Sequence, residues 1–455
     1  MAKLTFHGGA LSVTGANYLI ETERTKVLVD CGMVQGSRHA LEENYKPFPY
    51  EPSKIDALFI THAHVDHTGR VPKLVKDGFT GPIYATEPTV DLANVMLVDS
   101  QGLIESESKG ERPPLYNEKD VEKTAVQFKP VKYRQEIRVN DDIRVRLQDA
   151  GHILGSAIIE LWVRENGKET KFVFSGDLGN PPTPLLEPTE YIDEADYVVV
   201  ETTYGDRLHE DKKQRKGLLE NAVEDTITSG GTLMVPSFAL ERTQEILLEL
   251  NELVENNRIP EVPVFMDSPL AIRATEVYKK HTNYFNKEAR ALIESGDELF
   301  NFPNLKFTLS VPESKAINDV PPPKVIMAGS GMSTGGRILH HEMRYLPDPA
   351  STILFIGYQG AGTIGRRISD GAESVKIYGT EVPVRCKVRS IGGYSAHADQ
   401  DGLYGWIDNM RGGGKLKKVF CVQGEEEAAS AFALRVRDRM AVDATVPQPG
   451  DVFNF

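Results

Sequence analysis

At 455 residues the chain is too long for one ordinary core, so two or three domains are expected. Hydrophobic residues make up 40% and charged residues 26%, and no apolar run reaches spanning length, which excludes a helical membrane protein. A net charge of −14 excludes a general basic coat for nucleic acid, so a phosphate-bearing substrate would need a local patch or a metal centre.

The opening MAKLTFHGG lacks the apolar stretch of a secretory leader. Three widely spaced cysteines, Cys31, Cys386 and Cys421, argue against a disulfide framework and predict a reducing, cytoplasmic setting. GANYLIETE and TKVLVDCG read as two short strands meeting at Glu23-Arg24. ALFITH is a buried strand by its apolar run, and TGRVPKLVKDGF a helix closed by Gly78. IRVRLQDAGH, AIIELWV, KFVFSGDLGN and YVVVETTYG read as further strands. Many strands with intervening helices indicate an α/β sandwich.

After about Gly205 the texture changes. EDKKQRKGLLENAVEDTITSGG and LERTQEILLELNELVENN are amphipathic helices on either side of the strand TLMVPSF. VPVFMDS with AIRATEVYKKH, then KVIMAGSG with GGRILHHEMRYL, repeat the strand–helix step, and STILFIGYQG follows. Such repeats predict a parallel sheet flanked by helices. From about Val382, VRCKVRSIGGYSAHAD returns to short strands. The expected division is 1–205, an inserted domain over 206–382, and a return over 383–455.

The densest chemistry lies in ITHAHVDHTG, residues 60–69, which holds three of the chain's 11 histidines. Extended backbone after the strand points residues two apart the same way, so His62 and His64 can reach one point. Asp66 and His67, at the turn into a helix, can reach a second point nearby. Imidazoles and a carboxylate suit Zn²⁺, which takes N and O ligands at about 2.0–2.2 Å. Further ligands must come from elsewhere, and His152 in QDAGHILGSA and Asp177 in FVFSGDLGN both stand where a strand ends.

In this order HAHVDH, AGHILGS and SGDLG resemble the metallo-β-lactamase superfamily, and VLVDCG places Asp30 at its upstream aspartate. The resemblance implies an α/β fold, an αββα sandwich with metals at one edge, and a role for Asp30 in orienting ligands. VVVETTYGD, PSFALERTQE, FMDSPLA, AGSGMSTGGR, GYQGAGTIGRR and GGYSAHADQ resemble the β-CASP branch, nucleases related to the 3′-end-processing endonuclease and to RNase J. The inserted parallel-sheet domain is then the β-CASP domain.

That resemblance implies a zinc-dependent ribonuclease, with RNA as partner and a hydroxide bridging two Zn²⁺ as nucleophile. His62, His64, His152 and bridging Asp177 hold the first ion; Asp66, His67 and Asp177 begin the second set. Asp66 orients the nucleophile. The motif acid falls on Glu201 and the motif histidine on His397, a pair able to protonate the leaving oxygen. Ser330 and Arg337 are expected phosphate contacts. A homodimer is left open, as is cutting inside the strand or from its 5′ end.

One position departs from the pattern. Where RNA-directed members carry a histidine before Gly-Glu, this chain reads VFCVQGEEEA, with Gln423. A neutral amide is a weaker zinc ligand than imidazole, so a weakened second site or use of Mn²⁺ is expected. The alternative is a catalytically impaired RNA-binding scaffold; a small-molecule hydrolase sits poorly with the large insert. His7, His39, His209, His281, His340 and His341 are read as structural.

Overall fold

The computed structural model describes residues 2–36, 38–108, 112–210, 212–357, 359–360 and 362–455. The His39 side chain lies outside the described residues. The chain forms two compact units: Met1–Pro181 with Leu186–Leu208 and His397–Phe455, and Pro182–Leu185 with His209–Ala396.

The first unit holds two seven-stranded sheets. One runs Val452–Asn454, Lys3–Gly8, Asn17–Glu21, Lys26–Val29, Ala57–Phe59, Ile83–Thr86, Phe128–Val131. Its hairpin strands pair antiparallel, and from Lys26–Val29 onward the pairing is parallel. The other runs Asp443–Thr445, Lys418–Val422, Tyr197–Glu201, Lys168–Phe174, Ala157–Glu165, Ile143–Asp149, Glu136–Arg138.

Period-two alternation sets the layers. Tyr18, Ile20, Val27 and Phe59 of one sheet share a buried core with Phe172, Phe174, Val199 and Phe420 of the other. The intervening residues Val173, Val198, Val200 and Val419 face the opposite way, onto Trp406, Ile407, Phe432 and Val436 of helices Gln400–Arg411 and Glu426–Met440. Helix Glu87–Glu107 packs on the edge of the first sheet, beside Ile83–Thr86 and Phe128–Val131. This is the expected αββα sandwich.

The second unit is built on a six-stranded sheet in the order Leu305–Phe307, Val264–Met266, Lys324–Ala328, Thr232–Pro236, Thr352–Phe355, Lys387–Ser390, parallel throughout. Helices Arg215–Thr228, Arg242–Glu255, Pro269–Lys280 and Ile338–Tyr345 make the crossovers that parallel pairing requires.

Two details differ from the sequence expectation. Lys387–Ser390 pairs with Thr352–Phe355 and completes an edge of the second unit's sheet, so that unit runs on to Ala396. The segment read as one helix over 68–79 is two short helices, Val65–Thr68 and Val71–Lys76, with Pro72 in the first turn of the latter. Proline suits a helix start and not a helix interior. No helix among the described residues is long and apolar enough to cross a membrane, and the three cysteines are free and buried.

Candidate metal centre and proton donor

The site in the first unit gathers at strand ends. Lys26–Val29 and Ala57–Phe59 run parallel and deliver Asp30 and His62. Lys168–Phe174, Tyr197–Glu201 and Lys418–Val422 are also mutually parallel and deliver Asp177, Glu201 and Gln423. Parallel strands present their carboxyl ends together, which puts residues distant in sequence on one edge.

Beyond Phe59 the chain bends at Thr61 and Ala63 and reaches His64, the residue before helix Val65–Thr68, whose own backbone is extended at φ −60° and ψ 147°. His62 and His67 are fully buried. His62 Nε2 lies 3.0 Å from His64 Nδ1 and 3.4 Å from Asp177 Oδ2. His152 Nε2 lies 3.3 Å from His64 Nδ1 and 3.5 Å from Asp177 Oδ2. Four ligand atoms around one tetrahedral ion at about 2.0–2.1 Å sit about 3.3 Å from one another. The His62, His64, His152 and Asp177 set meets that spacing and so fits a metal ion. Burial, and then the like charge of neighbouring histidines, holds the pKa of His64 and His152 well below the ordinary value, so their lone pairs are available.

The ligands are held from behind. Ser156 Oγ accepts the N–H groups of His152 (3.0 Å) and Ile153 (3.3 Å), and Asp149 Oδ1 accepts that of Gly151 (2.8 Å). Asp30, at φ 59°, accepts the Thr61 N–H and hydroxyl at 2.8 Å each, and its Oδ2 lies 2.7 Å from His67 Nδ1. Thr61 Oγ1 also lies 3.0 Å from His62 Nδ1. Asp30 thus touches His67 directly and reaches His62 through Thr61.

A second group joins it. Glu201, fully buried, lies with Oε2 3.0 Å from His397 Nδ1, while its Oε1 accepts the Leu178 N–H at 2.7 Å. His397 pairs with Gly179 as an isolated antiparallel bridge, and the Ala398 N–H donates to the Leu178 carbonyl at 2.8 Å. The same loop therefore carries Asp177 and seats His397. Burial lowers the His397 pKa, but Glu201, Asp177 and Asp66 outweigh it and raise it to about 9. His397 holds its proton at neutral pH.

The sequence reading did not single out Thr61, Ser156 or Ser175, whose Oγ accepts the Glu201 N–H at 3.0 Å. It also passed over Tyr18, a buried tyrosine whose pKa is raised by burial and then by Asp30, Asp177, Asp66 and Glu201. Thr61 stands directly before the histidines and was the one signal in plain view.

Ser330 and Arg337 lie in the second unit with partners of their own. Ser330 Oγ accepts the N–H groups of Thr334 (2.9 Å) and Gly335 (3.2 Å), shaping the glycine-rich turn. Arg337 donates to Asp267 Oδ1 at 2.7 Å and to the carbonyls of Thr308 and Leu309 at 2.9 and 2.8 Å. His341 Nε2 lies 2.8 Å from Asp267 Oδ2.

Comparison with known proteins fits this geometry. Residues 13–237 match the Metallo-beta-lactamase superfamily and residues 243–368 the Beta-Casp domain. "Ribonuclease TTHA0252" of Thermus thermophilus is 38% identical over 93% of this chain and 94% of its own length. The chain belongs to the β-CASP branch of the metallo-β-lactamase superfamily. Residues 381–447 match the Zn-dependent metallo-hydrolase RNA specificity domain. "RNase J-like protein" of Methanocaldococcus jannaschii is 31% identical, covering 99% of both chains. "Transcription termination factor FttA" of Methanosarcina mazei is 33% identical over 97% of this chain and 70% of its own. A solved Enterococcus faecalis protein, 12% identical with a TM-score of 0.56 over 99% of both chains, shares the fold.

Within this β-CASP chain the second expected ligand set is less complete. His67 Nε2 lies 3.4 Å from Asp177 Oδ1 and 3.8 Å from Asp66 Oδ2. Among the described residues, the groups of metal-type side chains that converge are His62–His64–His152–Asp177 and Asp177–Glu201–His397. Asp66 joins neither.

Proposed function

We propose that this β-CASP chain is a metal-dependent ribonuclease that hydrolyses RNA phosphodiester bonds, with zinc as its natural ion. The observation that carries this reading is the Glu201–His397 pair seated on the loop of Asp177, beside the histidine cluster. The match to an RNA specificity domain and the names of the relatives, a ribonuclease and an RNase J-like protein, support RNA as the substrate class.

The chain's own residues divide the work. His62, His64, His152 and Asp177 would hold the ion, and three imidazoles with one carboxylate favour zinc over the oxygen-seeking Mg²⁺. A bound zinc would lower the pKa of water towards 7 and neutralise charge on the phosphate. Glu201 keeps the His397 imidazolium charged and fixes Nδ1, so the proton available to a leaving 3′-oxygen is on Nε2. The product would carry a 5′-phosphate. Asp66, burial having raised its pKa, stands beside His67 as a proton acceptor.

Incubating the purified protein with a 5′-labelled RNA oligonucleotide and, separately, a generic thioester tests the reading. RNA cleavage with 5′-phosphate ends that disappears in His397→Ala supports it, and the product lengths tell internal cutting from 5′ trimming. Thioester turnover without RNA cleavage sinks it. Gln423 favours a second reading, an RNA-binding scaffold; tight RNA binding with no cleavage by the native chain would select that one.

A further inference from the structure

We infer that Thr86 and Thr89, at the start of helix Glu87–Glu107, are positioning residues for the metal centre: their hydroxyls hold the Gly155 carbonyl and so preset the loop that presents His152. The inference rests on the His62–His64–His152–Asp177 set binding metal, and not on RNA being the substrate.

His152 is carried by a buried loop, residues 150–156, that closes on itself. The Ala150 N–H donates to the Ser156 carbonyl at 3.1 Å, and the Ser156 N–H to that of Ile153 at 2.9 Å. Ser156 Oγ accepts the N–H groups of His152 and Ile153. These bonds fix the shape of the loop but not its place, because both partners of each bond belong to it. Its place is set from outside. The Ala150 carbonyl accepts the Gly179 N–H at 2.8 Å, and the Ser156 carbonyl accepts the Tyr133 hydroxyl at 2.8 Å. The Gly155 carbonyl is held twice: Thr86 Oγ1 donates to it at 2.6 Å and Thr89 Oγ1 at 2.8 Å. A carbonyl oxygen has two lone pairs, and both are then filled. Thr86 and Thr89 are fully buried, so water does not compete for these bonds.

The helix itself does not need the second hydroxyl. Thr86 is the cap, and its Oγ1 accepts the Thr89 N–H at 3.3 Å. In a capping box the residue three on from the cap sends its side chain back to the cap's own N–H. Thr89 sends its hydroxyl to the Gly155 carbonyl instead. The two segments also press closely together. A Cβ on Gly155, whose φ is 80°, would stand 2.7 Å from Thr86 Oγ1, 2.8 Å from Pro88 Cβ and 2.9 Å from the Thr89 nitrogen. Only glycine admits that approach and that backbone together. A 21-residue helix packed on the sheet edge is thus the support for a carbonyl three residues after His152. Groups that orient a metal ligand act in this way, by holding its backbone and ring in place before the ion arrives.

Metal-free native protein, Thr89→Val and Thr89→Ser are compared by competition for zinc with a chelating dye and by melting temperature. Thr89→Val keeps the branched shape and loses the hydroxyl, and its zinc affinity is expected to fall about 10-fold, the low end for groups that support metal ligands. Thr89→Ser, which restores the hydroxyl, should stay within about twofold of the native protein. A purely structural role would lower the melting temperature and leave the zinc affinity of the folded protein unchanged. That result overturns the inference, as does a serine variant as weak as the valine one, and as does a native chain that binds no zinc. If Thr89→Val does not fold, hydrogen exchange on the native protein decides. The amides of His152 and Ile153 should be protected equally with and without zinc, and protection that appears only on adding zinc overturns the inference. RNA enters none of these readouts, so inactivity on RNA would sink the ribonuclease reading alone.

Discussion

Asp30 Oδ2 sits 2.7 Å from His67 Nδ1, and the same carboxylate accepts both the N–H and the hydroxyl of Thr61. One buried side chain thereby fixes the ring of His67 directly and, through Thr61 Oγ1, the ring of His62. Asn tolerates the left-handed backbone that residue 30 adopts. Asp30→Asn should therefore fold, but its amide cannot accept from every donor that the carboxylate serves. Zinc affinity is expected to fall roughly 10–100-fold, as for other groups that orient metal ligands. Competition with a chelating dye measures it, and unchanged affinity would remove Asp30 from this role.

In the proposed mechanism Glu201 supports His397, whose Nδ1 lies 3.0 Å from its Oε2. Glu201→Gln and His397→Ala should each lower the rate of RNA cleavage by about 10²–10⁴, the usual share of general acid–base catalysis. Metal content should not change in either variant. Parallel rate and elemental measurements separate this from a structural role, since a collapsed site loses both.

Much of this site is legible in the sequence, and the reason is local. His62, His64, Asp66 and His67 crowd one strand end, so their purpose shows without a partner in view. His152 and Asp177 become readable through their order and their glycine surroundings. Thr61, Ser156 and Ser175 do not, because a hydroxyl's role depends on what lies across space from it. The extent of the second unit was hidden for a similar reason. Lys387–Ser390 finds its partner in Thr352–Phe355, 35 residues earlier by register, and nothing local announces that pairing. Gln423 was visible as a departure, and the structure adds its distances of 2.7 Å to His67 Nε2 and 3.2 Å to Asp177 Oδ1.

Gly179 tests how tightly the two ligand loops are pressed together. A Cβ there would stand 2.0 Å from the Gly151 carbonyl oxygen, in the loop that presents His152. Neither side of that contact is a flexible side chain, so Gly179→Ala must push the Asp177 and His152 loops apart. The expected result is loss of bound metal and a stability loss of about 1–3 kcal/mol, the range for overpacking. Retention of metal with an unchanged melting temperature would mean the loops have slack.

Glu342, in helix Ile338–Tyr345 of the second unit, gives a pH signature independent of the metal centre. Its side chain is buried with the Ser333 hydroxyl as partner to one oxygen. Burial raises its pKa from 4.5 to about 7, and the Ser333 bond works against that rise. Between those values the folded chain keeps a proton that the unfolded chain has released. The stability from this group is therefore full below pH 4.5 and is lost as pH rises through about 7. The difference amounts to roughly 3 kcal/mol. Glu342→Gln, which carries no charge at any pH, should match the native protein near pH 5 and exceed it at pH 8. Urea unfolding of both proteins at the two pH values decides it. Taking the difference between them at each pH cancels the titration of the metal ligands, and parallel native and variant curves would mean that Glu342 ionises freely in the folded chain.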